Sequence, residues 1–131
     1  MKKIFVSNGN IESEIVQKFI GILREAGFVV HHSPRDESDL RFIKWYDRDL
    51  DKALDDSDIF IAIVDGAWEG STWMAIEAEN ALKRFKSGLL KGYCYYYPQE
   101  MDYIGEGMKK YLINRLPLKS EDIVDELSKE T

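Results

Sequence analysis

The eight residues DIFIAIVD, 58–65, constrain the fold more than any other stretch of this chain. A near-continuous apolar run of this length is the pattern of a strand buried on both faces, and such strands belong to parallel sheets covered by helices on either side. The rest of the sequence supplies the partners that such a strand needs. KIFVS (3–7) is a short apolar run that ends in the turn cluster SNGN. Ile11, Ile15, Val16, Phe19, Ile20 and Leu23 then recur at helical spacing, and Gly27 stands where a helix commonly ends. FVVHHS (28–33) reads as a second strand and SPRDESD as a polar loop, followed by a second amphipathic helix through Phe42, Ile43, Tyr46, Leu50, Ala53 and Leu54.

After DIFIAIVD comes the loop DGAWEGS, with Ser71 placed as N-cap of a helix that closes at SG, 87–88. LLKGYCYYYP (89–98) is aromatic and strand-like, and Pro98 ends it. Beyond it lie a helical pattern near Met108, Leu112 and Ile113 and a terminal helix carrying Ile123, Val124 and Leu127; a short segment around 111–118 is the candidate fifth strand. Strands separated by helical segments of this length form βαβ units, whose right-handed crossovers place helices on both faces of the sheet. The expected fold is α/β, a flavodoxin-like three-layer αβα sandwich with a four- or five-stranded parallel sheet. The chain has 131 residues and shows no repeat, low-complexity tract or Pro/Gly/Ser linker, so a single domain over 1–131 is expected.

Composition removes several classes of function. The start MKKIFVSNGNIESE has only a short apolar run, IFV, which gives neither a signal peptide nor a membrane span, and a cytoplasmic protein is expected. One cysteine, Cys94, makes no internal disulfide, and with only His31 and His32 beside it there is no Cys/His metal set. The two histidines read as strand residues with a structural role. A net charge of −6 and a pI near 5.0 argue against nucleic acid as a partner. Arg35, Arg41, Lys44 and Arg48 do gather, but Asp36, Asp39, Asp47 and Asp49 are interleaved with them, as on a solvated mixed-charge face.

In sheets of this kind ligands bind beyond the carboxyl ends of the strands, here the loops 7–10, 34–41, 65–71 and 97–103. There is no GxxxxGK[ST] loop, no GxGxxG after the first strand and no GxSxG elbow. Asp65 ends the third strand where a phospho-accepting receiver domain carries its aspartate, but such a site also needs acids after the first strand to seat magnesium. Ser7 and Asn8 stand there instead.

What remains is a carboxylate in an unexpected place. In GSTWMAIEAENALKRF (70–85), Met74, Ala78, Ala81, Leu82 and Phe85 form a core-facing stripe, and Glu77 lies on or beside it. Burying a carboxylate costs free energy that an exposed position would not. The plain alternative is that Glu77 turns outward to pair with Arg84 or Lys83, or accepts a bond from Trp68 or Trp73. Against it stand the neighbours: Trp68 and Trp73 flank the loop, Ser71 adds a hydroxyl, and Ser7, Asn8, Asn10 and Asp36 converge on the same rim. An aromatic wall, hydrogen-bonding groups and one acid suit a planar base and a ribose. Cleavage of a ribosyl N-glycosidic bond passes through an oxocarbenium-like state that a nearby anion stabilises. Nicotinamide, already a cationic pyridinium while bound to the ribose, needs no general acid to be expelled, whereas a purine or pyrimidine needs a second acid such as Asp65 or Asp36.

The string STWMAIE (71–77) resembles the SxWxxxE element of Toll/interleukin-1 receptor (TIR) domains. IFVS (4–7), LREAGFVV (23–30), PRDES (34–38) and LDKALDDSDIFIAIVD (50–65) are similar, in order, to that family's first strand, second strand, BB loop and third strand. The likeness covers about residues 1–86, and the tail after 100 departs from it. Many prokaryotic and plant TIR domains cleave NAD. The resemblance therefore implies Glu77 as the catalytic glutamate, Ser71 and Trp73 lining the pocket, and Phe5, Ser7 and Asn8 near the nucleotide. NAD would be substrate rather than cofactor. Enzymatic TIR domains often act as assemblies in which a neighbour's BB loop, here 34–41, completes the site, so self-association through that loop is implied. Met74 stands where many relatives have cysteine.

IAIVDGAWEGSTWMAIEAENAL is also similar to the loop and helix of nucleoside 2-deoxyribosyltransferases, whose threonine and glutamate lie closer together than Thr72 and Glu77 do. That family implies the same acid and the same kind of bond. A third reading is a non-catalytic TIR-like module that works by docking to other TIR surfaces.

Overall fold

The structure, a computed structural model, describes residues 2–8, 13–32, 48–64, 72–95, 115–117 and 119–129, with the side chains of 72–75 left outside that description. Four strands form one sheet: β1 (Lys3–Ser7), β2 (Val29–His31), β3 (Ile59–Ile63) and β4 (Lys91–Tyr95), in the order β2-β1-β3-β4. Every pairing is parallel. Four helices are described with them: α1 (Glu14–Glu25), α2 (Leu50–Asp55), α3 (Thr72–Lys86) and α4 (Ser120–Ser128). The expected flavodoxin-like α/β sandwich is the observed one.

The interior position of β3 explains its sequence. All five of its residues are buried, and the pleat sends Phe60, Ala62 and Val64 into one hydrophobic cluster and Ile59, Ile61 and Ile63 into the other. The first cluster joins Phe5 and Phe60 to Ala78, Ala81 and Phe85 of α3 and to Leu50 and Leu54 of α2. The second packs the opposite face against Val16, Phe19, Ile20 and Leu23 of α1 and against Ile123 and Leu127 of α4. These two clusters are the two sides of the three-layer sandwich.

Helix ends are fixed by local chemistry. After α1, Gly27 takes φ 94°, its N–H bonds to the Arg24 carbonyl at 3.0 Å, and the Phe28 N–H reaches the Leu23 carbonyl at 3.1 Å. This is a Schellman ending with its customary apolar contact, since Phe28 and Leu23 lie in the same cluster. α3 ends the same way at Gly88, φ 73°, with the Leu89 N–H on the Arg84 carbonyl at 3.0 Å.

Some expected boundaries move. The strand read over 28–33 is confined to Val29–His31, an edge strand in which Val29 is half exposed. At the other edge, Leu89 belongs to the exposed turn before β4 rather than to the strand. Of the candidate fifth strand, Arg115 forms an isolated parallel bridge with Cys94, and the Leu116 N–H bonds to the Cys94 carbonyl at 2.9 Å. The helical readings at 42–47 and around 108–113 lie outside the described residues.

Candidate functional site

The two clusters place the carboxyl ends of the strands and the first turns of α3 at one rim. Phe85, near the C-terminal end of α3, meets Phe60 edge-on with ring centroids 5.7 Å apart. Glu77 is eight residues earlier in α3, about 12 Å along the axis at 1.5 Å per residue. The same length of strand, at about 3.3 Å per residue, runs from Phe60 to the neighbourhood of Val64. Glu77 therefore stands at the level where β3 ends.

Its side chain is fully buried. Glu77, Ala81 and Phe85 follow one another at i, i+4 and i+8, so the acid continues the stripe that packs on the sheet. The outward-turned alternative is not what the helix adopts. Arg84 is committed elsewhere: its Nε donates to Asp55 Oδ1 at 2.9 Å, one terminal nitrogen to Asp51 Oδ1 at 3.1 Å, and the other to the Asn80 carbonyl at 2.9 Å. Lys83 stays exposed. The bonds to Asp51 and Asp55 tie α3 to α2, while Glu77, two turns earlier, is buried toward the sheet.

The floor beneath the acid changes character along the strands. Phe5 and Phe60 are register partners with rings stacked at 5.7 Å and planes 3° apart. One pleat further toward the rim the register row is Ser7, Ala62 and Cys94. By alternation from Phe5 and Phe60 this row faces α3, and its side chains are a hydroxyl, a methyl and a thiol. Sequence reasoning found Ser7 but missed Ala62 and Cys94. The signal was present in Ala62, the small residue on the α3-facing side of β3.

Buried polar residues concentrate here. Among the described residues Ser7, Asn8, Ser57 and Glu77 are buried, and three of these four belong to the rim. Ser57, at the other end of the sheet, donates its hydroxyl to the Ala53 carbonyl at 2.7 Å. At the rim, Asn8 Nδ2 is buried without a hydrogen-bond partner among the described residues, and the buried Glu77 carboxylate makes contacts of its own. Buried polar atoms are usually paired, and those that are not concentrate where a ligand or mechanism requires them.

Among the described residues the remaining titratable groups do not build a second centre. Burial pushes the Cys94 thiol up to about 11, against a smaller opposing pull from Arg115, so it stays protonated near neutrality. His31 bonds to Asp56 at 2.8 Å, and Asp56 also accepts from Lys3 Nζ at 2.8 Å. The Lys3 bond, then the His31 bond, lower the Asp56 carboxyl below its ordinary range. That cluster joins β1, the β2 edge and the turn before β3, in keeping with a structural His31. Among the described residues no group of His, Cys, Asp or Glu could hold a metal ion, and no helix is long and apolar enough to cross a membrane.

Of the residues singled out from the sequence, the structure gathers Ser7, Asn8 and Glu77 at one rim and places Phe5 one pleat below them, in the stacked aromatic row. Trp73 lies within α3, with its side chain outside the described part. Asp36, Asp65, Trp68 and Ser71 lie outside the described residues, as does the loop 34–41.

No protein-family model and no curated protein matches the sequence. Solved structures do match. The TIR domains of the activated Roq1 resistosome, which directly recognises the pathogen effector XopQ, superpose with a TM-score of 0.66 at 14% identity, over 99% of each chain. The fold is TIR-like. A pilus assembly-related protein, BPSS2195, of Burkholderia pseudomallei K96243 shares the architecture at a TM-score of 0.58 and 17% identity, over 99% of this chain and 89% of that one. At these identities the likeness is one of fold. In this TIR-like fold the buried acid of α3 faces the end of the sheet where α/β proteins bind their ligands.

Proposed function

We infer that this chain is an N-ribosyl glycosidase of the TIR type that cleaves the nicotinamide–ribose bond of NAD, with Glu77 as its catalytic carboxylate. The observation that carries this reading is the complete burial of Glu77 at the strand-end rim, on the sheet-facing side of α3. As the C–N bond breaks, its electron pair leaves with nicotinamide, which becomes neutral, and C1 of the ribose becomes an oxocarbenium ion. The Glu77 anion, shielded from water, stabilises that cation. Water then adds to C1 and loses a proton to give ADP-ribose; a nucleophile from the same or another molecule would give a cyclic or exchanged product. Ser7 and Asn8 adjoin the sugar in this reading. Phe5, Ser71, Trp73, Trp68, Asp36 and Asp65 are the proposed remainder of the substrate site, and no cofactor is required.

Purified protein incubated with NAD should release nicotinamide, read by chromatography, and Glu77→Ala should stop the release while circular dichroism stays unchanged. Undiminished release by that variant refutes the mechanism. Deoxynucleosides mixed with a free base separate the nucleoside transferase reading, which predicts exchanged nucleosides. A docking module consumes neither substrate. For that second reading the support is the assembly in which the Roq1 TIR domains occur, and self-association should then depend on residues 34–41.

A further inference from the structure

We propose that the side-chain amide of Asn8 reads the 2- or the 3-hydroxyl of the ribosyl ring, so that the site rejects substrates lacking the hydroxyl it reads; this rests on the glycosidase reading above. Asn8 directly follows Ser7, the last residue of β1, and is buried to 5% exposure although it lies at the strand end where polar side chains ordinarily meet water. Among the described residues its Nδ2 has no hydrogen-bond partner. An amide nitrogen brings donors only, and burying a donor unsatisfied costs more than a typical hydrogen bond returns. An asparagine kept in that state is suited to a ligand that brings the acceptor.

The chemistry of the rim narrows what that acceptor is. Ser7 ends β1 in register with Ala62, so Asn8 lies just past the carboxyl end of the sheet, the rim that Glu77 also reaches. Alternation from Ile4 and Val6 turns it toward the α1 side, so a ligand seated across the rim is what would join the two. A carbonyl or phosphate oxygen would satisfy the amide but present a lone pair or a charge to a buried carboxylate. A hydroxyl satisfies both, accepting from Nδ2 and donating toward Glu77. The group of the substrate that must lie beside Glu77 is the ring whose C1 becomes cationic, and its hydroxyls are at C2 and C3. A site that hydrogen-bonds a hydroxyl rejects the analogue lacking it, because its own polar groups are then left unpaired.

The test uses the Glu77→Gln protein, which should bind without turning over, with and without Asn8→Leu. Calorimetry measures NAD and two analogues lacking the 2- or the 3-hydroxyl on the nicotinamide ribose. Loss of one of these hydroxyls should weaken binding about tenfold in Glu77→Gln and by under about twofold in the double variant, the arms telling which hydroxyl is read. The double variant should melt no lower than its parent, since an unsatisfied buried amide has been replaced by an apolar group. An equal penalty in both proteins, no penalty in either, or a clearly lower melting temperature overturns the role of Asn8 and leaves the glycosidase reading standing. Absence of NAD binding to both proteins overturns that reading and this inference together.

Discussion

Phe85 meets Phe60 edge-on, centroids 5.7 Å apart and planes 76° apart, and this contact sets how far α3 slides along the sheet. Both rings are buried, and Phe60 also stacks on Phe5. The contact is the lower anchor of the stripe whose upper end is Glu77. Phe85→Ala is therefore expected to act twice. Truncating a buried phenylalanine costs about 3–5 kcal/mol. In the population that remains folded, NAD cleavage per molecule should fall as well, because the helix loses the contact that sets its height. Urea unfolding gives the first quantity; activity normalised to folded protein gives the second.

Glu77→Gln keeps the shape of the side chain and removes the charge. Nicotinamide release should fall by at least about a hundredfold, the scale seen when one preorganised electrostatic group is removed. The melting temperature should hold or rise, since burying a charge is more costly than burying an amide. A large loss of stability with activity retained would make Glu77 a structural residue. Thermal melting beside a discontinuous nicotinamide assay separates the outcomes.

The degree to which the sequence announces this arrangement differs from element to element, for physical reasons. DIFIAIVD announces β3 because interior strands contact helices on both faces and need apolar side chains at every position. FVVHHS overstates β2 because an edge strand has a neighbour on one side only, so its hydropathy says little about where pairing stops. Glu77 is legible because an acid on an apolar stripe is anomalous in the sequence itself. The Ser7, Ala62 and Cys94 row is not, since it joins residues from three strands and depends on register that no single strand encodes. The destination of Arg84 was hidden similarly, its acceptors Asp51 and Asp55 lying on another helix.

Acid should loosen the base of the sheet through Asp56. Its pKa is lowered from 3.8 by the Lys3 and His31 bonds. A carboxyl depressed in the folded state contributes stability that is present above its unfolded value and lost as pH falls through the folded one. The contribution is thus full at neutral pH and disappears below about pH 4. Lys3, raised from 10.5 by the same bond, contributes in the opposite sense and loses its share as pH rises above that value. Asp56→Asn should lower the urea midpoint at pH 7, and its curve should converge on that of the parent protein as the pH drops below 4.

The small row beneath α3 gives the sharpest link between packing and the site. Ala62 is fully buried between Ser7 and Cys94 in register, and the cluster it joins also holds Ala78 and Ala81 of the helix above. Methyl groups on both sides of that contact allow the upper half of α3 to approach the sheet. Ala62→Leu inserts three carbons where neither surface has room and should cost about 1–3 kcal/mol, the range for overpacking a dense core. The Phe60 and Phe85 contact lies lower and still anchors the helix, so the strain should lift the upper turns and with them Glu77. Activity should then fall further than the stability loss accounts for. Ala62→Gly, which removes bulk from the same position, should weaken the fold by a comparable amount without displacing the acid. If the two variants lose activity equally at equal folded concentration, the height of α3 over this row does not govern the chemistry.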